Sequence, residues 1–106
     1  MITFDDFMKL DIKIGTVTSA EKLQGADKLI RLEIDFGSET RQVVAGLAPY
    51  YTQEQLVGKQ IPVLVNLQPR KLRGIESQGM ILAAEVEGKP ILLTPEDHIP
   101  PGSVVR

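Results

Sequence analysis

Arg70, Lys71 and Arg73 crowd into one short stretch between Asn66 and Gly79, beside the Ser77 hydroxyl and the amides of Gln68 and Gln78. Glu76 is the only acid there. A guanidinium offers a planar fork of donors matched to phosphate oxygens, and an ammonium a compact charge for the same acceptors. Pro69 fixes the backbone before the cations and Gly74 permits a bend after them. Asn66 and Ser77 add neutral donors suited to sugar or phosphate, and Lys28 and Arg41, on neighbouring strands, extend the set. The chemistry indicated is recognition of a phosphate-bearing polyanion. The plainer alternative is a solvated cationic loop that keeps two strand ends soluble. The paired amides, the hydroxyl and the flanking glycines favour recognition.

Other chemistries lack their parts. His98 is the only histidine and there is no cysteine, so no zinc site is expected. Asp5-Asp6 matches no calcium-loop spacing. Ser77 sits in Glu76-Ser77-Gln78-Gly79, not in a nucleophile elbow, and the only histidine lies in the tail. Gly74 and Gly79 have P-loop spacing, but Met80 and Ile81 replace the lysine and hydroxyl that grip phosphate and magnesium. The expectation is therefore no catalytic residue, no metal and no cofactor.

These donors need strands to hold them. Ile61 to Leu67 and Gly79 to Glu85 read as strands entering and leaving the stretch, which is expected to be a loop on a rigid scaffold. Upstream, Leu10, Ile12 and Ile14 alternate with Asp11, Lys13 and Gly15, with Gly15 marking a bulge or bend. Leu32, Ile34 and Phe36 alternate in a second strand, starting near Lys28, and Thr40 to Ala45 forms a third. Thr52-Gln53-Glu54-Gln55 begins a capped helix of about one turn, ended at Gly58. Thr3 to Met8 forms another, roughly two turns long, with Phe4, Phe7 and Met8 on one side. That helix is a plug over its own domain or a dimer contact. Glu87-Gly88-Lys89 turns into Ile91-Leu92-Leu93, and the tail from Pro95 runs extended along the barrel.

Five short strands with a helix after the third describe an all-β protein with minor α content. The OB-fold, a five-stranded Greek-key barrel, fits this order best, and an SH3-like barrel shares the strand count. The 106 residues suffice for one domain, 1–106, with no repeat or linker. No apolar run approaches the ~20 residues of a membrane helix. An N-terminus with acids at Asp5 and Asp6 is not a secretory signal, so a cytoplasmic, reducing setting is expected. The net charge is -2, so any polyanion binding is local to a patch. The chain has no Trp; Phe36 faces the core and Phe4 and Phe7 belong to the helix, leaving Tyr50 and Tyr51 free. A surface poor in stacking groups suits a folded RNA read through phosphates, 2′-hydroxyls and shape.

The stretch Asn66-Leu67-Gln68-Pro69-Arg70-Lys71-Leu72-Arg73-Gly74, then Glu76-Ser77-Gln78-Gly79-Met80, resembles the signature of the tRNA-binding domain. That domain occurs at the C-terminus of methionyl-tRNA synthetases, as a free-standing tRNA-binding protein, and in the endothelial monocyte-activating polypeptide group. The resemblance continues in Asp6-Phe7 to Gly15, Ala26-Asp27-Lys28-Leu29, Asp35-Phe36-Gly37, Arg41 to Gly46 and Leu56 to Lys59, nearly the whole chain. It implies a homodimeric OB-fold that binds the outer corner of folded tRNA and assists a synthetase catalytic region without doing chemistry. By position it puts Asn66, Arg70, Lys71, Arg73, Ser77 and Met80 at the RNA face, with Lys28 and Arg41 as weaker members. It makes Phe4, Phe7 and Met8 part of the dimer interface. A free-standing protein and the C-terminal part of a synthetase both fit. The alternative within the same fold is a dimeric, chaperone-like peptide binder, whose mark would be an apolar groove beside Tyr50 and Tyr51.

Overall fold

Alternating apolar residues from Ile30 to Ile34, and continuous buried runs at Val43-Val44 and Ile61 to Val65, build the sheet in the order the sequence suggests. The computed structural model describes residues 1–106. Strand β1, Ile12–Lys22, buries Ile12, Ile14 and Val17. It pairs antiparallel with β2, Ile30–Asp35, which pairs in turn with β3, Thr40–Ala45. Strand β4, Gln60–Leu64, returns to the free edge of β1, from Ile12 opposite Leu64 to Thr16 opposite Gln60. A meander of three strands with the fourth laid beside the first is the Greek-key connection. Ile30, Leu32, Ile34, Val43, Leu56, Ile61 and Val63 are fully buried between the curled faces.

Two helical turns flank this sheet, and only the second packs into it. Helix α1, Phe4–Phe7, starts on Thr3, whose hydroxyl accepts from the Asp6 N–H while the Asp6 carboxylate accepts from the Thr3 N–H. That Thr3 N–H, then Lys9, holds the Asp6 carboxyl below its ordinary value of 3.8. Helix α2, Gln53–Leu56, repeats the capping box with Thr52 and Gln55 and drives Leu56 into the core. Gly58, at φ +93°, ends it, and its N–H donates to Val17 O at 2.8 Å. The tail lies along β1, with Ile14 N–H donating to Ser103 O and Val105 N–H to Ile12 O.

The first strand and helix differ in detail from expectation. Helix α1 is one turn, not two, because the Lys9 and Leu10 N–H groups donate three residues back, to Asp6 O and Phe7 O, and close the ladder. Leu10 precedes β1 and is exposed. The bulge falls at Thr18, where the β1–β2 register shifts between Val17 and Ser19. Gly15 pairs regularly with Ile61; its missing side chain makes room for Ile34 and for Phe36, whose Cε1 would stand 2.7 Å from an added Cβ.

The stretch expected as a loop is instead a hairpin, β5 (Arg70–Leu72) against β6 (Ile75–Ser77), turned by Arg73 and Gly74. Both turn residues have positive φ, +52° and +79°, the pattern of a two-residue I′ turn that matches strand twist. The single strand expected from Gly79 to Glu85 is two, β7 (Met80–Ile81) and β8 (Ala83–Val86). β7 pairs with the edge of β4, and β8 forms a second hairpin with β9, Lys89–Leu92. The five-stranded order is β3-β2-β1-β4-β7, curled into a half-barrel with α2 between β3 and β4, the OB arrangement.

Candidate nucleic-acid interface

The half-barrel is closed by side chains rather than by a regular ladder. Gln42, on β3, donates its N–H to Gln78 Oε1 at 3.1 Å and its carboxamide to Glu76 O at 2.8 Å. Gln78 N–H returns a bond to Gln42 O at 2.8 Å. Two residues further along β3, the Val44 N–H donates to Ser77 Oγ at 3.0 Å, and that hydroxyl donates to Gly79 O at 3.1 Å. Ser77 is 4% exposed, and its hydroxyl is committed to these two backbone groups. The seam thus fixes the base of the β5–β6 hairpin onto β3.

The residues on the hairpin itself are free. Arg70, Lys71 and Arg73 are exposed and make no ion pair, whereas Lys9, Lys13, Arg31 and Arg41 each have a carboxylate within 4.0 Å. Glu76 stands opposite Lys71 in the pairing but accepts from the Gln78 carboxamide at 3.2 Å. The one acid of the stretch is therefore held within the seam, and three cations project from a two-stranded arm.

The remaining expected site residues sort by task. Arg41 donates to Val65 O and Gln78 O and pairs with Glu39, so its guanidinium is spent on joining β3 to the entry of the hairpin. Asn66 clamps the chain on the other side: its oxygen accepts from the Asp11 N–H at 2.9 Å and its amide donates to Lys9 O at 2.7 Å. The carboxamide ties the hairpin entry to the segment that follows α1. Met80 is exposed on β7. Lys28 is exposed in the turn before β2, at a recess of about 380 Å³ that it lines with Tyr50 and Glu85. The structure gathers Arg70, Lys71 and Arg73 on one arm, sets Asn66 and Arg41 at its root, buries Ser77 beneath it, and leaves Lys28 on the adjoining recess.

Sequence reasoning missed Gln42 and Gln78 as the stitching pair; only the amide content of the stretch hinted at them. It also left Tyr51 free. The Tyr51 hydroxyl donates to Pro90 O at 3.1 Å and accepts from the Leu92 N–H at 3.2 Å, and its ring packs against the core. Only Tyr50 is exposed, and the recess beside it carries Lys28 and Glu85 rather than an unbroken apolar lining.

The β half-barrel thus lifts a cationic arm without ion pairs from a chain of net negative charge. Residues 12–104 match the family model described as "Putative tRNA binding domain", and the chain belongs to that family. It is 56% identical over 104 residues to a methionine–tRNA ligase of Archaeoglobus fulgidus and 54% identical over 106 residues to one of Parabacteroides distasonis. These alignments cover 98% and 99% of this chain but 16% of each ligase, so the chain spans about a sixth of those relatives. Among solved structures it is similar to a methionyl-tRNA-synthetase-related protein from Pyrococcus horikoshii, with TM-score 0.95 and 42% identity over 100% of this chain and 98% of that one. It is also similar to the chaperone CsaA from Bacillus anthracis, with TM-score 0.93 and 38% identity over 100% and 99% of the two chains.

Proposed function

We propose that residues 1–106 form one domain that binds folded tRNA through the β5–β6 hairpin and does no chemistry of its own. The observation that carries this reading is the clustering of Arg70, Lys71 and Arg73, none in an ion pair, on one short arm whose only acid accepts from Gln78. Free guanidinium and ammonium groups on a preordered arm can each take a phosphate without first breaking an internal ion pair. Asn66 and Ser77 act as positioning residues that hold the arm, Arg41 fixes its root, and Met80 and Lys28 border it. The module serves a methionyl-tRNA synthetase catalytic region, on the same chain or another, by holding the substrate nearby, in the cytoplasm. It works as a homodimer joined through Phe4, Phe7 and Met8, since α1 leaves Phe4 73% exposed and Met8 43% exposed with no covering element.

The test is Arg70→Ala combined with Arg73→Ala. Affinity for folded tRNA should fall, and thermal unfolding should stay nearly unchanged. The slope of log K against log salt should become shallower by about 0.9 for each phosphate that is no longer neutralised. Equal binding by variant and wild type removes the hairpin from the site. Peptide binding is the second reading, favoured by the likeness to CsaA. It expects salt-insensitive binding of an unfolded polypeptide with no preference for tRNA.

A further inference from the structure

Beneath the cationic arm lies a cavity of about 320 Å³ that none of the roles above uses. Its walls include Leu67, Leu72, Met80 and Ile81, and its polar lining includes Gln68 and Arg70. No carboxylate lines it, and Arg70 is the one charged residue that does. Met80 and Leu67 are each more than two-fifths exposed, so the apolar walls reach the surface. The Gln68 carboxamide makes no hydrogen bond within the chain and remains available to a guest.

We propose that this cavity is a slot for a single unpaired nucleobase of the bound tRNA, with Arg70 on the phosphate of that nucleotide. The proposal rests on the tRNA-binding reading and adds a base contact to it. Three features fix the occupant. The volume is at the small end of ligand pockets, ~300–1,000 Å³, and suits one planar group better than a run of peptide. A lone cation at the mouth of an acid-free apolar cleft complements an uncharged ring joined to an anion. The cavity is also continuous with the arm, because Arg70 and Leu72 of β5 line it. Proteins that read RNA in sequence do so on unstacked bases splayed from loops, sandwiched by side chains and bonded at their edges. Here the sandwich is aliphatic: Met80 and Leu67 stand in for the aromatic platform that the cavity lining lacks, and Gln68, with a donor and an acceptor, meets the base edge.

The slot is testable with tRNA transcripts carrying one abasic nucleotide at a time at the unpaired positions. For the wild type, one position should lower affinity about tenfold while the others change little. Ala83→Leu, which projects a larger side chain at the cavity wall, should weaken the complete tRNA and abolish that position dependence with an unchanged salt slope. Met80→Ala, which removes a wall without overpacking, should halve the position dependence or more even if Ala83→Leu folds poorly. A flat abasic scan with tight tRNA binding leaves the tRNA-binding reading standing and overturns the slot. So does an Ala83→Leu variant that loses binding of an unfolded polypeptide but keeps that of tRNA, which would make the cavity a peptide site. No binding of tRNA by the wild type removes both readings together.

Discussion

Ser77 carries more of the site than its position suggests. Its hydroxyl accepts from Val44 and donates to Gly79, so one buried atom joins β3, the hairpin and the residue before β7. In Ser77→Ala the Val44 N–H and Gly79 O lose their partner in a buried setting, at a cost of about 1–3 kcal/mol. The denaturant midpoint should fall with an unchanged m-value, and tRNA affinity should fall with it as the arm loosens. Loss of tRNA affinity at full stability would instead make the hydroxyl a direct RNA contact. The sequence marked Ser77 and Asn66 for the RNA face, and in the structure both side chains bond to backbone groups. It could not tell inward from outward, because hydroxyl and amide donors suit backbone and phosphate equally well. Arg41 is the same case: the residue type announces a charge, and only the fold places Glu39, Val65 and Gln78 around it.

At the level of elements, strands with one buried face were legible and the hairpin was not. β2 follows the alternation closely, since a one-residue slip would turn Leu32 and Ile34 out of the core, whereas β3 buries Val43 and Val44 side by side. Helix α2 was legible from its capping box. Ser77 is the only buried residue of the β5–β6 arm, too little to impose a pattern; Arg70 and Lys71 are both exposed, and the arm's order comes from the turn and the seam. An Arg-Gly pair is a weak turn signal beside Asn-Gly, so the stretch read as a loop. Gly74 is where the turn is most vulnerable, at φ +79°. Gly74→Val forces a β-branched residue into left-handed backbone at a cost of about 1–3 kcal/mol, while every cation is retained. Its tRNA affinity should drop severalfold although its charge is unaltered, measured by anisotropy. Wild-type affinity in Gly74→Val would mean that loose cations suffice and that the ordered arm is not required.

Across the whole molecule the charges are segregated. A net charge of -2 is compatible with polyanion binding because Asp6, Asp11, Glu21 and Glu33 are drawn to cations away from the arm and Glu39 to Arg41 at its root. On the proposed function one copy with few phosphates in reach binds modestly, and the proposed dimer through α1 would present two arms to one ligand, raising avidity through effective concentration. Asn66 links these scales, because its amide holds Lys9 and Asp11 just beyond α1. Phe7→Asp places a carboxylate on the half-buried face of α1. Sedimentation should shift toward the monomer and tRNA affinity should fall about tenfold or more. An unchanged dimer would assign Phe7 to covering its own barrel.

The measurement closest to the central claim is a salt titration of binding to folded tRNA, to a single strand of equal length and to an unfolded polypeptide. Shape reading through a three-cation arm predicts tightest binding to folded tRNA. It also predicts that log K falls linearly with log salt, with a slope of about -2 to -3 for each arm engaged. Equal affinity for the single strand and the folded tRNA, or salt-insensitive binding of the polypeptide alone, would contradict it.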